Sequence, residues 1–168
     1  MTAAPLILLF FTNAPDLGFK PGYGLELGLT HPNFELRLSA AHQPKYNADS
    51  GYTYASSLQL HPAWSVAPSI GYTCFGYHST WSKQECTAQV GIHAHTQHIN
   101  AELVALRTQH QAQQAQLTTT MLNLKTTLTS TLFLHTSIDY TTPINAMGYT
   151  LGIGWKKSPN KGAKERRR

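Results

Sequence analysis

The stretch HTSID sets His135, Ser137 and Asp139 at alternate positions, which on a strand is one face. An imidazole can take the proton of a nearby hydroxyl and a carboxylate can orient that imidazole, so these residue types could support nucleophilic acyl transfer. Their placement on a single strand is awkward for it, because alternate residues stand about 6 to 7 Å apart. HAHTQH offers a second constellation: His93 and His95 share a face, His98 follows after a turn, and imidazoles so spaced can hold Zn or Cu. The sequence sets no thiolate and no third ligand beside them. Internally satisfied or solvated histidines are therefore expected, with no metal and no cofactor. Cys74 and Cys86 have matching parity at the ends of adjacent predicted strands, and in an oxidising compartment they are a candidate disulfide stapling the link between them.

The elements that must position these groups repeat with period two. GYGLELGLT puts Tyr23, Leu25, Leu27 and Leu29 on one face and Glu26 and Thr30 on the other. FELRLSA repeats the pattern with Phe34, Leu36 and Leu38 against Glu35 and Arg37, and AMGYTLGIGW closes with Tyr149, Leu151, Ile153 and Trp155 against Thr150, Gly152 and Gly154. Between these lie YTYASSLQL, WSVAPSIGYTCFGY, CTAQVGIHAH, INAELVALR, LTTTMLNL and LTSTLFLHTSIDY, with KTT taken as the turn joining the last two. The links alternate short and long, the long ones centred near residues 46, 81, 112 and 144. From Ile99 to Leu128 the apolar residues are also spaced by threes and fours, so a helical hairpin competes with strands; the threonines of TTT and KTTLTST favour strands.

Composition agrees with a chain that spreads its apolar residues thinly. Of 168 residues, 12% are charged and 41% hydrophobic, against about 25% charged in ordinary soluble domains. No apolar run approaches the roughly 18 residues of a membrane helix, so a helical membrane protein is excluded. The net charge of +5 belongs to one end. Seven of the thirteen basic residues and one of the eight acidic ones lie between Lys156 and Arg168, which gives that tail +6 and the remainder −1. Its sequence, KKSPNKGAKERRR, suits a flexible terminus that is either simply solvated or held to an anionic polymer or lipid headgroups.

Residues 1–14 contain APLILLFF followed by TNA, which fits either a signal-peptide remnant cleaved after Ala14 or a retained first strand. Residues 15–157 form the repeating body and 158–168 the basic tail. Nine strands are counted after residue 20, so closure with both ends on one side requires ten, using residues 4–12, or eight, by merging a weak pair. The inward face of such a barrel, taken by parity, carries Glu26, Glu35, Arg37, Gln59, His61, His93, His95, Glu102, His135 and Asp139. Eight to ten strands leave little lumen, and these groups are expected to pair as a polar network that keeps it shut. Tyr23, Tyr52, Tyr54, Tyr72, Tyr77, Tyr140 and Tyr149 fall at the long-loop end, and Phe34, Trp64 and Trp155 at the short-turn end, as two interfacial belts would require.

With these strands, belts and the closing GYTLGIGW, residues 22–157 resemble the bacterial outer-membrane β-barrel class, whose last strand ends in an alternating aromatic or aliphatic signal read by the assembly machinery. The resemblance implies an all-β fold: a small antiparallel up-and-down transmembrane barrel of 8 or 10 strands, with short turns on one side and long loops on the other. It implies a cell-surface, porin-like protein of the bacterial outer membrane, made with a signal peptide and surrounded by lipid bilayer and lipopolysaccharide. The pair His135 and Ser137 also resembles that of the outer-membrane lipid A deacylases, in which histidine is the base and serine the nucleophile. That family places a glutamate some residues beyond the serine, whereas no acid follows Asp139 here until Glu165. A non-enzymatic monomer is therefore expected, with a structural, protective or loop-mediated surface-binding role, since loops on a rigid scaffold are where binding specificity sits. The competing expectation is a soluble β-barrel or sandwich of virion type whose basic tail binds nucleic acid.

Overall fold

The computed structural model describes residues 3–46, 51–78, 85–110 and 115–157. The basic tail over 158–168 and the link centres near residues 81 and 112 lie outside the described residues.

Ten strands form: β1 (Ala4–Asn13), β2 (Gly22–His31), β3 (Phe34–His42), β4 (Tyr52–Leu60), β5 (Val66–His78), β6 (Glu85–His95), β7 (Ile99–His110), β8 (Ala115–Thr127), β9 (Leu132–Thr142) and β10 (Ala146–Lys156). Each pairs antiparallel with its chain neighbours, and β1 pairs with β10 as well as β2, so the sheet is a closed up-and-down barrel with no free edge. The open choice between eight and ten strands resolves to ten because APLILLFF is itself a strand, in register from Leu6↔Lys156 to Asn13↔Tyr149.

The helical alternative for Ile99–Leu128 is not what forms. β7 and β8 are a hairpin in register from Ile99↔Thr126 to His110↔Ala115, and as helices they would leave the facing ladders of β6 and β9 unpaired. KTT is likewise not a turn. β8 continues through Thr127, and the reversal falls on residues 128–131, where the Thr129 hydroxyl accepts from the backbone N–H of Leu132 at 3.0 Å. Pairing that persists to these ends also shortens two of the expected long links, leaving 111–114 between β7 and β8 and 143–145 between β9 and β10. The 43–51 link stays long, and its described residues 43–46 pack on the 14–21 link. Gly18 takes a left-handed φ of 77° after the 3-10 turn Pro15–Leu17, its carbonyl accepts from Tyr46 N–H at 2.8 Å, and Phe19 bridges to Lys45.

The outward face is apolar. Leu27, Val90, Leu134 and Ile153 stand exposed, together with Ile7, Leu9, Leu25, Ile70, Leu103, Leu122 and Leu151; Leu36, on the same face, is partly covered by its neighbours. Exposed rings sit at both rims of this band, with Tyr23, Tyr52, Tyr140 and Tyr149 at the end of the longer links and Trp64 and Trp155 at the other. Tyr54 lies over Gly76 on the adjacent strand and is only partly exposed; the Tyr77 side chain lies outside the described residues.

Inside, the two halves of the lumen differ. β1 is apolar on both faces: Leu6 and Leu8 point inward, are nearly fully buried and pack with Phe133 and Phe10. The neighbouring strand supplies the room. A Cβ on Gly152 would stand 2.8 Å from Leu8 Cδ1 and 2.9 Å from Phe10 Cβ, and one on Gly154 would overlap the Phe133 ring. The bare inner face of β10 thus serves an apolar seam rather than a polar lining.

Candidate functional site

The polar half of the lumen is built from β3, β7 and β8. Glu35 and Arg37 alternate on β3 and both point inward, as the period-two pattern requires. Arg37 donates to Glu35 Oε2 at 2.5 Å and, across the lumen, to Glu102 Oε2 at 2.9 Å. Asn123 Nδ2 donates to the same Glu102 oxygen at 3.2 Å, and Lys125 Nζ pairs with Glu35 Oε1. All three ion pairs lie in the interior, with side chains 15% exposed or less. There the carboxylates could not stay ionised without donors, and the two cations meet that need.

Around this network several interior polar groups satisfy one another in short contacts. Gln59 Nε2 donates to Ser69 Oγ at 3.0 Å, Thr73 Oγ1 to Gln89 Oε1 at 2.7 Å, and the hydroxyls of Thr119 and Thr141 are 2.9 Å apart. At the short-turn end the rings of His61 and His93 stack with centroids 4.3 Å apart, and His95 follows at 5.8 Å from His93. Stacked rings with parallel planes do not converge lone pairs on a point, and among the described residues no group of three or more His, Cys, Asp or Glu is arranged to hold a metal ion.

His135, Ser137 and Asp139 all face the lumen along β9, opposite Gly152, Thr150 and Gly148 of β10. Among the described residues no hydrogen bond joins the three. Nor does His135 serve Glu102 or Asp139 as a donor; Glu102 takes its hydrogen bonds from Arg37 and Asn123. Glu26, also inward, lines the cavity above the network without a hydrogen bond of its own to the ion pairs. Cys74 and Cys86 face each other in register on β5 and β6 and are joined as a disulfide, Cα atoms 4.0 Å apart.

Two inward groups of the network stand outside the expected inward set, Lys125 and Asn123, although Asn123 alternates with Met121 inside LTTTMLNL. Taking KTT as a turn removed Lys125 from the strand face that it shares with Asn123 and Met121. Extending the β8 alternation by two residues would have placed it inside, opposite His135. The apolar seam escapes for another reason: a strand apolar on both faces has no alternation to detect.

Above the ion pairs the lumen widens into a cavity of about 610 Å³, lined by residues of every strand and reaching Leu17, Phe19 and Gln43 at the long-link end. Glu35, Lys125, Leu6 and Phe133, all enclosed, lie outside it toward the short-turn end, so the cavity is a cup with these groups as its floor.

Several solved structures are similar to the chain in fold. The N-terminal β-barrel domain of Pseudomonas aeruginosa OprF matches with a TM-score of 0.51 at 15% identity, over 93% of this chain and 100% of that one. A de novo designed transmembrane β-barrel matches at 9% identity over 94% of this chain and 98% of that one, TM-score 0.43. Neisserial surface protein A matches at 11% identity over 94% and 96%, TM-score 0.37. At such identities the likeness is one of fold. No protein-family model matches the chain, and no curated protein does.

Proposed function

We propose that the chain is a small monomeric β-barrel of the bacterial outer membrane, with a structural or protective role or one of binding at the cell surface through its longer links. The observation that carries this is the inversion of burial. Leucine, isoleucine and valine stand exposed around the whole girth while glutamate, arginine and lysine are enclosed, an arrangement stable only where the outer solvent is hydrocarbon. The aromatic rings at both rims fall at headgroup depth in that setting. A soluble barrel of virion type would expose this apolar girth to water and would aggregate.

The packed floor argues against a porin's conductance, since open aqueous channels go with roughly 16 strands or more. What remains for the outer solvent to meet is the rim, where the 14–21 link and residues 43–46 hold each other in place. The chain leaves β10 at the opposite, short-turn end, so the +6 tail is set to meet anionic headgroups or an anionic polymer on that side. Lipid and lipopolysaccharide are the surrounding partners. No acyl-transfer step is assigned to His135 and Ser137.

Expression in a Gram-negative host followed by membrane fractionation tests the reading. The expected result is protein in the outer-membrane fraction, released only by detergent, with a gel mobility that shifts on boiling and no porin-sized conductance in planar bilayers. Protein that stays soluble without detergent and is shed from nucleic acid by salt would overturn it.

A further inference from the structure

The cup above the ion-paired floor has an imbalance that the barrel does not need for its own stability. Among the described residues four carboxylates line it, Glu26, Glu85, Glu102 and Asp139, against one guanidinium, Arg37, which the floor already engages. Lys125 lies below, paired with Glu35. Among the described residues, Glu26 Oε1, Glu102 Oε1 and His135 Nδ1 are buried acceptors with no hydrogen-bond partner, Gln43 Nε2 is a buried donor with none, and all four residues line this cavity. His135 is 5% exposed and Glu102 4%. Buried polar atoms are normally satisfied, so orphans that share one cavity mark the place of something that fills it. The acceptors come from β2, β7 and β9, on different walls. The third requires the His135 tautomer with its proton on Nε2, which leaves Nδ1 free to accept.

The other half of the lining is apolar. Phe10, Phe75 and Met121 face the same space, as does Phe19, over whose ring the Lys45 ammonium already lies at 5.2 Å from the centroid. Aromatic faces attract a cation and stack on an apolar ring, and a cavity of about 610 Å³ lies within the range of roughly 300 to 1,000 Å³ typical of small-molecule sites. We infer that the cup binds a small amphipathic organic cation, an arylalkyl ammonium, whose N–H donors meet Glu26, Glu102 and His135 while its apolar body lies against the phenylalanines. An ammonium carries three donors and no acceptor, which complements these three acceptors; the unpartnered donor, Gln43 Nε2, belongs to the long-link end of the cavity. An anion would meet the excess carboxylates, and a neutral isostere would leave them without a countercharge.

The test uses the folded full-length barrel in detergent micelles, its fold verified by heat-shifted mobility, and titrates benzylammonium against benzyl alcohol and benzoate by calorimetry. Benzylammonium is expected to bind at least tenfold more tightly than benzyl alcohol, and benzoate not at all. Because Glu26 makes no hydrogen bond to the floor, Glu26→Gln should keep the fold and weaken benzylammonium binding at least tenfold; Glu102→Gln should do so too, with some loss of stability. Absence of benzylammonium binding to the wild type, equal affinity for the alcohol, or unchanged affinity in a folded Glu26→Gln barrel would each overturn the inference.

Discussion

Two halves of one lumen solve the same filling problem by opposite chemistry. On the side of β1, β9 and β10, Leu6, Leu8, Phe10 and Phe133 fill the space against strands reduced to glycine. Between β3 and the β7–β8 pair, across the lumen, Glu35, Arg37, Glu102, Asn123 and Lys125 fill it with three ion pairs. The apolar seam gains by removing surface from water and depends on shape. The ionic side gains little net, since desolvation offsets attraction, yet it is intolerant of losing one member because the partners stay buried. The seam should therefore fail gradually with side-chain volume, and the network should fail at once.

Arg37→Met is the most severe way to press that difference. It leaves Glu35 with Lys125 alone and Glu102 with Asn123 alone, and should cost about 4 to 5 kcal/mol in reversible urea unfolding from lipid vesicles. A cost below that of Phe133→Ala would reverse the ranking of the two halves.

Phe133→Ala is next, at about 3 to 4 kcal/mol, the usual range for an emptied aromatic site. Its sharper form is a double-mutant cycle with Gly154→Ala. Alone, the added methyl collides with the Phe133 ring and destabilises; in the Phe133→Ala background it enters the void and should recover about 1 kcal/mol. Additive costs would show that glycine and ring are not matched.

Ile153→Arg separates inside from outside on a single strand, since its neighbours Gly152 and Gly154 face the seam. In a bilayer a mid-strand arginine should cost about 2 to 4 kcal/mol, whereas the same change in a water-soluble barrel would be near neutral. Unfolding curves from vesicles decide between them.

The smallest effect is expected at Ser137→Ala, below about 1 kcal/mol, because Ser137 makes no hydrogen bond to His135 or Asp139. The variant should remain a heat-modifiable barrel, and neither it nor the wild type should release fatty acid from lipopolysaccharide. Acyl release by the wild type that vanishes in a stable Ser137→Ala barrel would restore the catalytic account of HTSID.

Much of this architecture is legible without coordinates. Leu25, Leu27 and Leu29 alternate with Glu26 because a strand with two different surroundings must alternate, so strand class and the facing of side chains such as Glu35 and Arg37 follow from parity. The method falters where local chemistry is silent. APLILLFF has no alternation because both its faces are apolar, and KTT is indistinguishable from a turn until its hydrogen bonds to β9 are known. What only the tertiary structure decides is who meets whom across the lumen. Arg37 reaches Glu102 from 65 residues away, and Lys125 reaches Glu35 from 90. Such pairs depend on strand number and on the stagger accumulated around the closed sheet, and stagger is a property of the whole ring of hydrogen bonds. A period of two tells each side chain which face to take, but only closure sets the height at which it arrives.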